Sequence, residues 1–364
     1  MRILFLTNES STVINFRKEL IQFLLSKNEE IIVVSGDNKR EREIKDLGVF
    51  FECVEYSNRS ISILENFKLK KKFKDIIKKY SPDILFTFQA KPNMLGCVAG
   101  KKAGVNNIFA MVEGLGDPFQ PKTFKQKIVK FIVTILYKKA FKIPKKVFFL
   151  NEDDKAHFLE NKIIQSEKVV LLPGIGIDIH KWNIKPLPNN RNVLMISRLL
   201  INKGVLDYCE IAKNVYLKDP TVTFYLVGPE GQLTKNHLSK YIDNNFVIYE
   251  GETKEPLKYL ENCQVFVLPS FREGMPRSIM EAMSIGRPVV ASNCIGCKDM
   301  VDDNVTGYLS SVGDIDEFAN KILKIINNKE IAQTFADNAR KKVCEFYDSN
   351  IINEQIYNII KADL

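Results

Sequence analysis

PGIGIDIHKWNIKPLPNNRN, residues 173–192, is the place where the rhythm of this 364-residue chain breaks. On either side of it, short apolar runs of strand length alternate with longer stretches of helical period. Inside it, proline, glycine and asparagine crowd a segment that follows neither period, which is the composition of a linker. A chain of this length is too long for one compact core and suits two domains of ordinary size.

Working outward, the first half gives strands at RILFLT, EIIVVS, FFECV, DILFTF, NIFAM, KVFFL and KVVLL, with helices between them such as 15–26 and 92–103. The second half gives NVLMIS, TFYLVG, FVIYEG, VFVLPS, PVVAS and GYLSS. Strand–helix alternation of this kind builds parallel sheets wrapped in helices. The expected fold class is therefore α/β, with two Rossmann-like doubly wound domains facing across a cleft. Their expected bounds are 1–172, a linker over 173–190, and 191–345. The last twenty residues, EFYDSNIINEQIYNIIKADL, read as a helix, 346–364 of which packs back on the first domain. No repeat of solenoid period is present.

Composition narrows the class. The N-terminal apolar run is too short for a signal peptide, no stretch reaches bilayer-spanning length, and seven scattered cysteines suit reduced thiols in a cytoplasmic protein. The formal charge of +9 is uneven: residues 1–172 carry 31 Lys+Arg against 20 Asp+Glu, a balance of +11, and the remainder carries 22 against 24, a balance of −2. Much of the excess lies in KLKKKFKDIIKK (68–79) and in KTFKQKIVKFIVTILYKKAFKIPKK (122–146), where nine lysines meet no acid. Without zinc spacing, a helix-turn-helix or a ribonucleoprotein motif, no nucleic-acid partner is expected. The second block interleaves lysine with Phe, Ile, Val and Tyr, as does a helix lying on an anionic membrane; a packed helix with a solvated basic face reads the same way.

FREGMPRSIMEAMSIGRPVVAS (271–292) follows the strand VFVLPS and opens a helix. Pro276 suits a first helical position, Gly274 permits close approach of a ligand to the backbone, and the amides there suit a phosphate. Glu273 precedes that start and Glu281 lies about two turns in. A carboxylate accepts two hydroxyl protons at once, so each glutamate suits a vicinal diol, one on a sugar and one on a ribose. Arg198, just after the strand NVLMIS, and Lys203, five residues on, can together neutralise a diphosphate leaving group.

ISRLLINKG (196–204), EG-x-P-x4-EAM-x-x-G-x-PVVAS (273–292) and PGIGID (173–178) resemble the retaining glycosyltransferases of family 4, which have the GT-B fold. VEGLGDPF (112–119) and FQAKPNMLGCVAG (88–100) carry a narrower resemblance to bacterial enzymes that add N-acetylhexosamines, such as N-acetylgalactosamine, to polyprenyl-diphosphate-linked sugars. The resemblance implies that Glu273 touches the donor sugar and Glu281 the nucleotide ribose. It implies that Arg198 and Lys203 hold the diphosphate with the backbone of Gly274, Met275, Pro276 and Arg277 around them, where the non-proline amides help. Gly228 falls on the donor side, and the turn from Asn8 through Glu9 and Ser10 closes over the donor from the other domain. Many relatives have a glycine pair in that turn, and a histidine where this chain has Glu113. Two roles stay open for Glu113: contact with the sugar, or action on the acceptor. Lys91, Lys125, Lys127 and Lys130 are expected on the acceptor and membrane side.

Other signals are weaker. Cys294 and Cys297 have redox or zinc spacing without a second pair or a nearby histidine, Asp314 reads as a helix cap, and no complete dinucleotide or P-loop fingerprint exists. The resulting expectation is a retaining glycosyltransferase, peripheral on the inner face of a bacterial cytoplasmic membrane. It takes a UDP-sugar as substrate and a lipid-diphosphate-linked saccharide as acceptor, needs no metal or other cofactor, and forms an α bond. The alternatives are a GT-B transferase with a soluble acceptor and a non-catalytic sugar-nucleotide-binding subunit.

Overall fold

A computed structural model describes residues 1–57, 62–115, 119 and 123–364, without the side chains of 63 and 125. Residues 116–118 of the VEGLGDPF segment and the side chain of Lys125 lie outside the described residues. The chain divides into two units, 1–176 with 349–364, and 177–348.

The first unit alternates β1 (Arg2–Thr7), α1 (Ser10–Phe16), α2 (Lys18–Ser26), β2 (Glu30–Ser35), α3 (Glu41–Lys45), β3 (Phe50–Cys53), α4 (Ile63–Tyr80) and β4 (Ile84–Phe88). It continues through α5 (Cys97–Ala103), β5 (Asn107–Val112), α6 (Phe124–Ala140), β6 (Lys146–Phe149), α7 (Glu152–Glu160) and β7 (Val169–Leu171). The seven strands form one parallel sheet in the order β3-β2-β1-β4-β5-β6-β7. Central strands such as β4, ILFTF, are buried along their whole length, because helices cover both faces and leave no solvent side for polar residues.

The second unit runs β8 (Asn192–Ile196), α8 (Val205–Lys218), β9 (Thr223–Val227), α9 (Ser239–Ile242), β10 (Ile248–Gly251), α10 (Pro256–Glu261) and β11 (Val265–Leu268). It ends with α11 (Arg277–Ser284), β12 (Val289–Ser292), α12 (Cys297–Met300), β13 (Gly307–Ser310), α13 (Ile315–Ile326) and α14 (Lys329–Phe346). Its six strands are ordered β10-β9-β8-β11-β12-β13. In each sheet the order reverses once, between β1 and β4 in the first and between β8 and β11 in the second. At such a point the loops leaving adjacent strands part in opposite directions and open a crevice at the carboxyl ends.

Three local features depart from the sequence reading. The helix expected over 15–26 is broken: Arg17, at φ −125° and ψ −6°, ends α1 and starts α2. The turn expected to open the helix over 92–103 is π-helical at Pro92–Gly96, a form frequent at functional sites. The C-terminal segment is the end of α14, then Tyr347 and Asp348, then a separate α15 (Ser349–Ala362). That last helix buries Ile352, Ile356 and Ile360 and packs on α2.

The linker is tied to the second unit by two arginines. The fully buried Arg287 guanidinium donates to the carbonyls of Lys185, Pro186, Leu260, Glu261, Ile285 and Gly286. Arg340 donates to those of Ile179, Trp182 and Ser284. Carbonyl oxygens in this number replace the water that a buried cation loses.

Candidate active site

The switch point of the second unit collects the residues singled out in sequence. Gly228, just after β9, lies so close to Ser197, just after β8, that a Cβ would fall 1.9 Å from the Ser197 carbonyl oxygen, at φ +146°. Only glycine lets the β9 loop press on the turn that carries Arg198, whose side chain is exposed. Gly204, at φ +69°, stands likewise against the Pro269 carbonyl oxygen, 1.9 Å from where a Cβ would be. Phe271 N donates to Asn202 O at 3.0 Å, so the loops after β8 and β11 are laced together.

That lacing places Lys203 Nζ 2.5 Å from Glu273 Oε2. Ser270 Oγ donates to Glu273 Oε1 at 2.6 Å, and Glu273 N donates to Ile295 O at 3.0 Å. Each oxygen of a carboxylate has two acceptor sites. With one of them on Lys203 and another on Ser270, Glu273 is aimed and can still accept a pair of hydroxyls. The cation and the carboxylate, read separately from the sequence, are one unit.

In α11, Arg277 Nε pairs with Glu281 Oε1 at 3.0 Å, one helical turn apart, with both side chains largely buried. Pro276 stands at the N-cap, φ −73° and ψ 106°, one position earlier than expected, and contributes no amide; Met275 packs against the core. The helix start therefore combines backbone amides with the Arg277 guanidinium, and both favour an anion. Sequence reasoning missed Ser270 and the Arg277 side chain. Ser270 carried a signal, a hydroxyl three residues before the glutamate in a short loop.

Behind Glu273, Gly296, at φ +83°, would set a Cβ 2.8 Å from Glu273 Cβ. Cys294 and Cys297 flank it as reduced thiols. The hydrogen bond between them pulls Cys294 below and, with burial, pushes Cys297 above the ordinary thiol value. Among the described residues no group of three or more His, Cys, Asp or Glu is arranged to hold a metal ion. Asp314 caps α13, its Oδ1 accepting from Glu317 N at 2.9 Å.

The first unit has its own polar rim. Gln89, at φ +70° just after β4, accepts from Asn8 N at 2.8 Å and from Thr7 Oγ1 at 2.9 Å. Tyr56 OH donates to Asn8 Oδ1 at 2.8 Å, and burial pushes this phenol far up. The buried Ser10 hydroxyl donates to Asp37 and accepts from Arg40 N at 3.0 Å, and Glu9 is the N-cap residue of α1. Glu113, just past β5, forms an ion pair with Arg17. Arg17 gave no sign of this in sequence, where it reads as one more cation on a helix.

The lysines expected on the acceptor side divide. Lys91 is buried, its Nζ donating to Ser57 O at 2.5 Å above the Tyr56 ring, and loss of solvent pulls its pKa down. Lys127 is exposed and Lys130 half-buried on α6, whose outer face bares Phe124, Ile128, Phe131, Ile132 and Ile135. Among the described residues no helix is long and apolar enough to cross a membrane.

Known proteins resemble this chain in sequence and in fold. Residues 177–342 match the family of glycosyl transferases group 1, and residues 2–146 match the glycosyl transferase 4-like family. The chain is 29% identical, over 98% of its length and 97% of the relative's, to the N,N'-diacetylbacillosaminyl-diphospho-undecaprenol alpha-1,3-N-acetylgalactosaminyltransferase of Campylobacter jejuni. It is also 29% identical, over 78% of its length and 76% of the relative's, to the UDP-Gal:alpha-D-GlcNAc-diphosphoundecaprenol alpha-1,3-galactosyltransferase of Escherichia coli. Among solved structures, Anabaena HepE in complex with UDP and glucose has the same fold, with a TM-score of 0.81 and 21% identity across 100% of both chains. Two parallel doubly wound sheets, family matches over most of the chain and a relative aligned almost end to end agree: the chain belongs to the group 1, family-4-like glycosyltransferases with the GT-B fold.

Proposed function

We propose that the chain transfers an N-acetylhexosamine from a UDP-sugar to a polyprenyl-diphosphate-linked saccharide, forming an α bond without a metal. The observation that carries this reading is the cluster of Ser270, Glu273 and Lys203 at the switch point of the second sheet, with Arg198 on the turn that leaves β8 and Glu281 farther along α11. In the transfer, the bond from the anomeric carbon to the diphosphate oxygen breaks with its electron pair going to that oxygen, the acceptor hydroxyl oxygen bonds the carbon, and the hydroxyl proton leaves with the released UDP. Negative charge grows on the departing diphosphate, where Arg198, Lys203 and the start of α11 offset it. Glu273 fixes the sugar's hydroxyls and Glu281 those of the ribose. The acceptor class is supported by the two relatives, whose names specify diphospho-undecaprenol saccharides.

A peripheral membrane position suits such an acceptor. Along α6 the apolar residues 124, 128, 131 and 135 recur at helical spacing and face solvent, with lysines on either side and no acid in the helix. The exposed Leu64 and Phe67 begin α4, which carries the other lysine block and packs on the same π-helical turn as α6. Apolar side chains among lysines suit the headgroup region of an anionic bilayer.

The test is to offer the purified chain UDP-N-acetylgalactosamine, UDP-N-acetylglucosamine and UDP-galactose with a polyprenyl-diphosphate-linked saccharide, reading released UDP and product mass. One UDP-N-acetylhexosamine should turn over only when the lipid acceptor is present, at a rate that EDTA leaves unchanged. Equal turnover onto soluble acceptors would point to a transferase with a water-soluble acceptor. No turnover with any donor would leave a sugar-nucleotide-binding subunit.

A further inference from the structure

Arg17 occupies a position that ordinary helix packing does not demand. It interrupts a helical run, and the interruption turns its side chain inward, where it is 3% exposed. The guanidinium carbon lies 4.4 Å from the centroid of the Phe88 ring, NH1 donates to Phe16 O at 2.9 Å, and NH2 pairs with Glu113. A planar guanidinium stacked on a ring and tied at one edge has little rotational freedom left. Its carboxylate partner is correspondingly fixed, yet the Glu113 side chain keeps 20% of its surface exposed. Glu113 sits just beyond the carboxyl end of β5, next in the sheet to β4, whose end carries Gln89 and its bonds to Thr7 and Asn8.

We propose that Arg17 is a positioning residue that, clamped against Phe88, holds the Glu113 carboxylate at the rim of the first unit as an acceptor for a sugar hydroxyl or amide N–H. The inference rests on the transferase reading above and assigns Glu113 a task in it. An oriented carboxylate repels a diphosphate and accepts from hydroxyls, so its partner is the carbohydrate part of a substrate. Ion-pairing to a stacked arginine makes it a fixed acceptor, because any move toward another partner opens a buried charge pair. Donor sugar and acceptor sugar share this chemistry, and the kinetic split tells them apart.

The experiment compares the full chain with Arg17→Met, Arg17→Lys, Glu113→Gln and the Arg17→Met/Glu113→Gln double variant. Each of Arg17→Met and Glu113→Gln should lower kcat/KM for transfer by about 10- to 100-fold, the loss expected for one charge-assisted hydrogen bond. The double variant should lose no more than Glu113→Gln alone, because the two residues act as a unit. Arg17→Lys should recover part of the loss, and UDP affinity by titration should stay within about twofold throughout. A rise in acceptor KM assigns the contact to the acceptor sugar; a smaller affinity advantage of the UDP-sugar over UDP assigns it to the donor sugar. Arg17→Met transferring at the wild-type rate, or a double variant whose losses multiply, would overturn the proposal. Should Arg17→Met fail to fold, Glu113→Gln with an unchanged melt and unchanged kinetics overturns it equally. A wild-type chain that turns over no donor defeats the transferase reading instead. The pair is then judged by saturation-transfer NMR with N-acetylhexosamine methyl glycosides: signal lost in Glu113→Gln supports it, and equal signals in both proteins overturn it.

Discussion

Lys203 and Glu273 come from loops after two different strands and meet at 2.5 Å, with Ser270 on the other carboxylate oxygen. Replacing Lys203 by Ala removes the cation and leaves Glu273 with one side-chain anchor. Steady-state transfer should show kcat lowered about 10²- to 10³-fold, the usual cost of losing one preorganised charge-stabilising group. Replacing Ser270 by Ala should be milder, about tenfold in kcat/KM, with the affinity for UDP itself unchanged, since the hydroxyl orients a sugar contact and not a phosphate contact. Both chains should melt within a few degrees of wild type.

Single loops and helices set where these side chains point. Gly228→Ala forces a Cβ into the Ser197 carbonyl oxygen at a φ of +146°. The substitution should cost about 3 kcal/mol or more and loosen the turn that carries Arg198, read as a lower melting temperature together with weaker UDP binding. On α6, reversing Lys127 and Lys130 to Glu should abolish flotation with phosphatidylglycerol vesicles while transfer to a short-chain, detergent-soluble acceptor persists; unchanged flotation would remove the membrane role of this helix. The strands and the glutamate motif were legible in the sequence because apolar runs and turn residues are local signals. The break at Arg17 was not, because the residue that stops α1 is held by partners, Phe88 and Glu113, that local propensity does not see. The same holds for Lys203 with Glu273, a contact across 70 positions of sequence.

The chain as a whole returns to its beginning through α15, which docks on the first unit beside α2. Burial pushes Glu29 up, but hydrogen bonds from the terminal ammonium and from Tyr357 OH at 2.8 Å, with the Lys361 charge, outweigh it and hold the carboxyl below its ordinary value of 4.5. A depressed folded pKa means that the contribution is complete above the unfolded value and is lost as pH falls through the folded one. Glu29→Gln should therefore speed hydrogen exchange in α15 at pH 7, by about 1.5–3 kcal/mol of local stability, and the gap from wild type should close as pH falls below 4.5 and on through the lowered folded value. The two-sheet architecture followed from the rhythm of the chain, whereas the placement of 177–190 within the second unit did not, because the arginines that pin this stretch, Arg287 and Arg340, act through carbonyls distant in sequence. The nucleotide itself gives the sharpest check, through a crystal soaked with UDP. Its diphosphate should lie on Arg198, Lys203 and the amides that open α11, with the ribose hydroxyls on Glu281. Density for UDP on the first unit, or on any part of the second away from those residues, would contradict it.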